Sequence, residues 1–146
     1  MTKIGDLTFC LHTDNSSINA LSILDSFLNC GWDLVNDGEI WILPIEDTDF
    51  DWKIFKDTER DIVLNIIQNK YIRNELIGVV MTYKLTGHGV SMLLQPDLKS
   101  IKVICNINQK MLKDLNVVDF SWYLMKIIPI LSKLKITIDS ITCDYS

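Results

Sequence analysis

The sequence is short of the residues with which most catalysis and metal binding is done. It holds two histidines, His12 and His88, and four cysteines, Cys10, Cys30, Cys105 and Cys143, with no C-x-x-C pair among them. Structural zinc needs closely spaced ligand pairs, so this scatter argues against a metal site. The cysteines read instead as small buried hydrophobes in a reducing compartment. Cys10 and His12 share one strand face, and a core pair is the expectation there. No G-x-S-x-G, P-loop or dinucleotide fingerprint occurs, and no cofactor is called for. Long apolar runs are missing as well. The longest uncharged stretch, Leu85 to Pro96, is broken by Gly87, His88, Gly89 and Gln95, and falls short of the roughly eighteen apolar residues that cross a bilayer. The opening Met1-Thr2-Lys3-Ile4-Gly5-Asp6 lacks the apolar stretch of a secretory signal, so the cytoplasm is the expected location. Positive charge is scarce: 14 Lys and Arg stand against 19 Asp and Glu, a net charge of −5. That excludes a globally basic nucleic-acid binder.

What is present is the material of a folded core. With 146 residues and 48% apolar content, the chain reads as one domain over residues 1–146. Leu7, Phe9 and Leu11 alternate with Thr8, Cys10 and His12, which is strand periodicity. The run Asp14-Asn15-Ser16-Ser17 offers helix caps, Ile18, Leu21, Leu24 and Leu28 follow at helical spacing, and Gly31 sits where a helix ends. Asp37-Gly38 lies between Trp32–Asn36 and Glu39–Leu43, a strong hairpin signal. A two-residue loop pairs Asn36 with Glu39, Leu34 with Trp41 and Trp32 with Leu43, all on one face. The other face carries Asp33, Val35, Ile40 and Ile42, so the hairpin lies inside a two-sided sheet or offers a face to a partner. Asp57 or Thr58 caps a second helix whose core stripe is Ile62, Val63, Ile66, Ile67 and Tyr71. Strands follow at 76–85, 90–94 and 100–107. Residues 108–118 read as a loop, and Asp119 caps a last helix with the stripe Leu124, Ile127, Ile128, Leu131 and Leu134. Pro129 is expected to kink or delimit that helix. A strand over 136–145 closes the chain. The order β-α-β-β-α-β-β-β-α-β predicts an α+β fold: a mixed, mainly antiparallel sheet with about three helices packed on it.

Few constellations carry chemistry. Asp47-x-Asp49-x-Asp51 starts like a calcium loop, but the positions that need Gly and Glu hold Trp52 and Thr58. His88 sits in the turn Thr86-Gly87-His88-Gly89, with Ser91 and Asp97 as its nearest possible partners in sequence, and nothing fixes their geometry. The charge distribution says more. From Asp33 to Asp61 there are ten acids and three bases, a net of −7, while the rest of the chain is +2. Trp41, Phe50, Trp52 and Phe55 fall inside the acidic segment. Acids steer a basic partner, and aromatics anchor interfaces. The candidate partner-binding residues are therefore Glu39, Trp41, Glu46, Asp47, Asp49, Phe50, Asp51 and Trp52, with no catalytic or metal residue assigned.

Taken with the loop Glu46-Asp47-Thr48-Asp49-Phe50-Asp51-Trp52, the hairpin entry Gly87-His88-Gly89-Val90-Ser91 and the helix opening Asp119-Phe120-Ser121-Trp122-Tyr123-Leu124, this small acidic chain resembles the immunity proteins of bacterial polymorphic-toxin and contact-dependent inhibition systems. Its twelve Lys against two Arg fit an AT-rich bacterial genome. The resemblance implies a non-catalytic protein that binds and neutralises a cognate toxin domain, often a basic nuclease, by covering its active site or an adjacent surface. It assigns no residue by motif, and it implies no direct contact with nucleic acid or membrane. Two alternatives stand beside it: a small hydrolase or transferase with its site near His88, and a homo-oligomeric adaptor using the Trp32/Trp41 hairpin. Stoichiometry is left open.

Overall fold

A computed structural model describes residues 3–145. Among these residues, nine strands form one open sheet in which every pairing is antiparallel, and three helices of eight or more residues pack on it. The α+β expectation holds. The strands are β1 (Gly5–His12), β2 (Trp32–Asp33), β3 (Val35–Asn36), β4 (Glu39–Ile42), β5 (Lys53–Lys56), β6 (Ile77–Tyr83), β7 (Gly89–Leu94), β8 (Ser100–Ile107) and β9 (Thr137–Tyr145). The helices are α1 (Ala20–Asn29), α2 (Arg60–Ile72) and α3 (Phe120–Lys133). The sheet runs β3-β4-β6-β7-β8-β1-β9, with β5 on the other side of β4 and β2 beside β6.

One register carries the core across the sheet. Ile42 lies opposite Val79, Val79 opposite Met92, Met92 opposite Val103 and Val103 opposite Leu7. All five side chains are buried, on the face that the helices cover. Residues one step along each strand turn the other way. That second face carries Thr8, Trp41, Lys102, Ile104 and Asn106, which are half-buried or exposed, beside the buried Val80 and Ser91, so much of it is open.

Local sequence explains most of the elements. The first helix starts later than Asp14–Ser17. Asn19 accepts from Ser22 N–H (3.0 Å), and Ser22 Oγ accepts from Asn19 N–H (2.8 Å), a reciprocal cap. Asn15 is spent on a local turn with Ser17. Gly31 takes φ +100° just past the helix end, where a side chain would meet Tyr83. Burying Ile23, Leu24 and Phe27 contributes about 1.5–3 kcal/mol each.

The hairpin turn forms as expected, with Asp37 and Gly38 both at positive φ and Asn36 opposite Glu39. The pairing then departs from the simple ladder. A bend at Leu34 splits the strand, and Trp32 pairs with Tyr83 instead of Leu43. Trp32 thus lies on the helix side, buried against Phe27, Tyr83 and Trp122, while Trp41 lies on the open side. The two tryptophans do not share a face, contrary to the pairing expected from a two-residue loop.

Further corrections follow. The segment 53–56, to which spacing alone assigns no element between the loop 46–52 and the second helix, is a strand, because Ile54 and Phe55 extend the β4 ladder opposite Trp41 and Ile40. In α2 the buried stripe is Val63, Ile67 and Lys70, and Ile62 is exposed. In α3 Tyr123 and Ile130 join Ile127 and Leu131 inside, while Leu124, Ile128 and Leu134 are partly buried. Pro129 does not end that helix. The carbonyl it leaves without a helical donor belongs to Met125, which is exposed and open to water. Cys10 and His12 are exposed, and His12 pairs with Asp14 (3.0 Å). Of the four free cysteines only Cys105 is buried, and its burial raises its pKa to about 12.

Candidate partner-binding site

The β4–β5 ladder builds the site. Ile40 and Ile42 turn to the helices, so Glu39 and Trp41 turn to the open face. Trp41 lies opposite Ile54, which puts Ile54 and, by alternation, Trp52 on that face too. There the two half-buried indoles of Trp41 and Trp52 line a hollow of about 280 Å³ with Asn36, Val80, Ser91 and Asn106. Its polar lining is internally tied: Asn106 Nδ2 donates to Ser91 Oγ (2.9 Å).

The acids of residues 33–61 divide by what they touch. Arg60 takes Asp33 and Asp57, each at 3.0 Å. Arg73 donates to Glu46 (2.6 Å) and to Glu75 (2.7 Å). Glu75 also accepts from the Glu46 N–H (2.7 Å), and that bond, with the Arg73 guanidinium, holds its carboxyl below the usual range. Asp47 turns inward and accepts from the N–H groups of Phe50 (3.1 Å) and Asp51 (2.8 Å), which shapes the loop. Glu59 accepts from Lys56 N–H (2.9 Å). Asp37, Glu39, Asp49, Asp51 and Asp61 are left: all five are exposed and have no ion-pair partner among the described residues, and Asp61 lies apart from the others in the first turn of α2.

The eight expected residues are therefore not one patch. Glu39, Trp41 and Trp52 come together on the open face, and Asp49 and Asp51 lie on the loop that leads into β5. Glu46 and Asp47 brace that loop. Phe50, 54% exposed, lines a separate hollow of about 470 Å³ with Lys70, Glu75 and Thr48. Buried Lys70 donates to the carbonyls of Leu43 (3.1 Å) and Pro44 (2.8 Å), which the end of β4 leaves without ladder donors. Burial lowers its pKa, against the pull of Glu75 and Asp47. Sequence reasoning missed Asn36, Val80, Ser91 and Asn106. The available signal was the placing of Ser91 and Asn106 as polar residues within otherwise apolar strands.

His88 is engaged elsewhere. Its Nδ1 donates to the Asn108 carbonyl, and its ring packs on Trp122 at 5.3 Å. Ser91 bonds to Asn106, and Asp97 accepts from Lys99 N–H, so neither is arranged to work with it. No group of three or more His, Cys, Asp or Glu that could hold a metal ion occurs among the described residues, and none of their helices is long and apolar enough to cross a membrane. No family model, curated protein or solved structure matches the chain.

Proposed function

We propose that this protein is a non-catalytic immunity protein of the bacterial cytoplasm, which binds a basic toxin domain on the open face of the β4–β5 end of the sheet. The observation that carries the reading is the separation of charges: Asp37, Glu39, Asp49 and Asp51 make no ion pair on the strands and loops that present Trp41 and Trp52, while Asp33, Glu46, Asp47, Asp57 and Glu59 brace the fold. Unpaired surface acids cost little in water and raise the encounter rate with a positive cleft. Half-buried indoles supply the desolvated anchor area that acids lack.

The partner is a protein; neither nucleic acid nor a membrane is a direct ligand in this reading. The test is capture of the toxin domain encoded immediately upstream, with the native chain and with Asp37→Asn, Glu39→Gln, Asp49→Asn and Asp51→Asn combined. Capture by the native chain, and a loss of about tenfold or more in association rate for the variant, is expected. Failure of the native chain to capture that domain, or an unchanged rate for the variant, overturns the reading.

A further inference from the structure

The hollow beside Trp41 and Trp52 has a chemistry of its own, and it is more selective than a negative surface. Its walls are two indole side chains, the richest π surfaces among the amino acids for attracting a cation. Its polar lining is neutral: Ser91 and Asn106 bond to each other, each of their oxygens keeps a lone pair for a further donor, Asn36 adds an amide oxygen, and no cationic side chain lines the hollow. Glu39 projects from β4 on the same face two residues from Trp41, and Asp51 precedes Trp52; both carboxylates lack an ion-pair partner among the described residues. One cation is near. Lys56 lies opposite Glu39 in the ladder, outside the lining, and its ammonium makes no ion pair among the described residues. A volume of about 280 Å³ is ample for a flat, weakly hydrated cation on an aliphatic stem.

We infer that this hollow is a receptor for an arginine side chain of the partner protein, its guanidinium stacked on the indoles and its N–H groups met by the Asn36, Ser91 and Asn106 oxygens. A guanidinium fits better than an ammonium, because it is planar, sheds water more readily and stacks on ring faces. The inference rests on the proposed acidic partner surface and names the group that surface selects.

The test uses the intact chain and small probes, so it does not depend on knowing the toxin. N-acetyl-arginine amide is titrated against ¹⁵N-labelled protein, with N-acetyl-citrulline amide as the uncharged isostere and N-acetyl-lysine amide as the ammonium control. The four tryptophans give separate indole N–H signals. Saturable shifts of the Trp41 and Trp52 signals with the arginine probe are expected, with Trp32 and Trp122 unmoved. Lysine should be weaker and citrulline silent. Trp41→Leu should weaken arginine binding by about three- to tenfold, and Lys56→Gln should strengthen it by removing a competing charge. Equal shifts with citrulline, non-saturable shifts of all four indoles, or no shift at all overturn the inference. Arginine binding without capture of the upstream toxin leaves the inference standing and removes the immunity reading. Capture of the toxin that Trp41→Leu leaves intact, with arginine binding absent, does the reverse.

Discussion

Lys70 shows how a single side chain can be placed by leftover backbone. Pro44 ends β4, and the carbonyls of Leu43 and Pro44 need donors that no neighbouring strand provides. A lysine reaching from α2 meets both. Replacing it with Met removes the donors and leaves one buried and one half-buried acceptor short, so Lys70→Met is expected to cost about 1–3 kcal/mol, read by urea unfolding near neutral pH. The pH dependence has a definite sign. The folded pKa lies below the ordinary 10.5, so between the two values the unfolded chain binds more protons. The native protein gains stability relative to the variant as pH rises through that window. A gap that narrows with rising pH contradicts the assignment. None of this was legible in sequence, where periodicity placed Tyr71 in the core stripe and passed over Lys70. Helical pattern ranks residues by polarity, and a lysine that satisfies carbonyls beyond its own helix breaks that ranking for a tertiary reason.

Individual elements were legible where a local rule governs them. The alternation of β1, the Asp37-Gly38 turn, the Asp119 cap of α3 and the strands β6 to β8 follow from spacing and turn chemistry alone. The failures in the sheet share one cause: pairings that local spacing does not announce. Trp32 changes sheet face because Tyr83 takes it as a ladder partner, and β5 exists because β4 has a free edge to fill. The acidic character of the site was visible, but its division into bracing and free acids depends on where Arg60 and Arg73 arrive from α2 and its end. A close approach within the sheet supplies the prediction at this scale. Leu43 lies over Gly78, where a Cβ would fall 2.5 Å from the Leu43 Cδ1, and Leu43 is only 1% exposed. Gly78→Ala should destabilise by about 1–3 kcal/mol. Adding Leu43→Ala should recover part of the loss of Gly78→Ala in a double-mutant cycle, since it vacates the space. Strict additivity of the two changes rules out this contact as the cause.

The acidic segment 33–61 lies at one end of the sheet, its acids mostly in the turns, loop and helix start around β4 and β5 rather than in those strands, while β1 and β9 form the other end. With the net charge divided as −7 over residues 33–61 against +2 elsewhere, a basic partner is oriented before contact. Association should therefore slow by about tenfold or more between low and high salt while dissociation changes little; stopped-flow mixing at several ionic strengths checks this, and a salt-independent rate contradicts it. The same strand order has a kinetic meaning. β1, the first strand among the described residues, sits between β8 and β9, the last two. Non-local pairing of this kind is slow, because a long loop must close before any contact rewards it. As the chain emerges from a ribosome, Leu7, Phe9 and Leu11 wait without a ladder partner until residues 100–107 arrive, and one edge of their strand stays open until the final nine-residue strand is complete. Within residues 3–145 the first strand is thus paired only by the last two, and the core they share is not closed until β9 has been made.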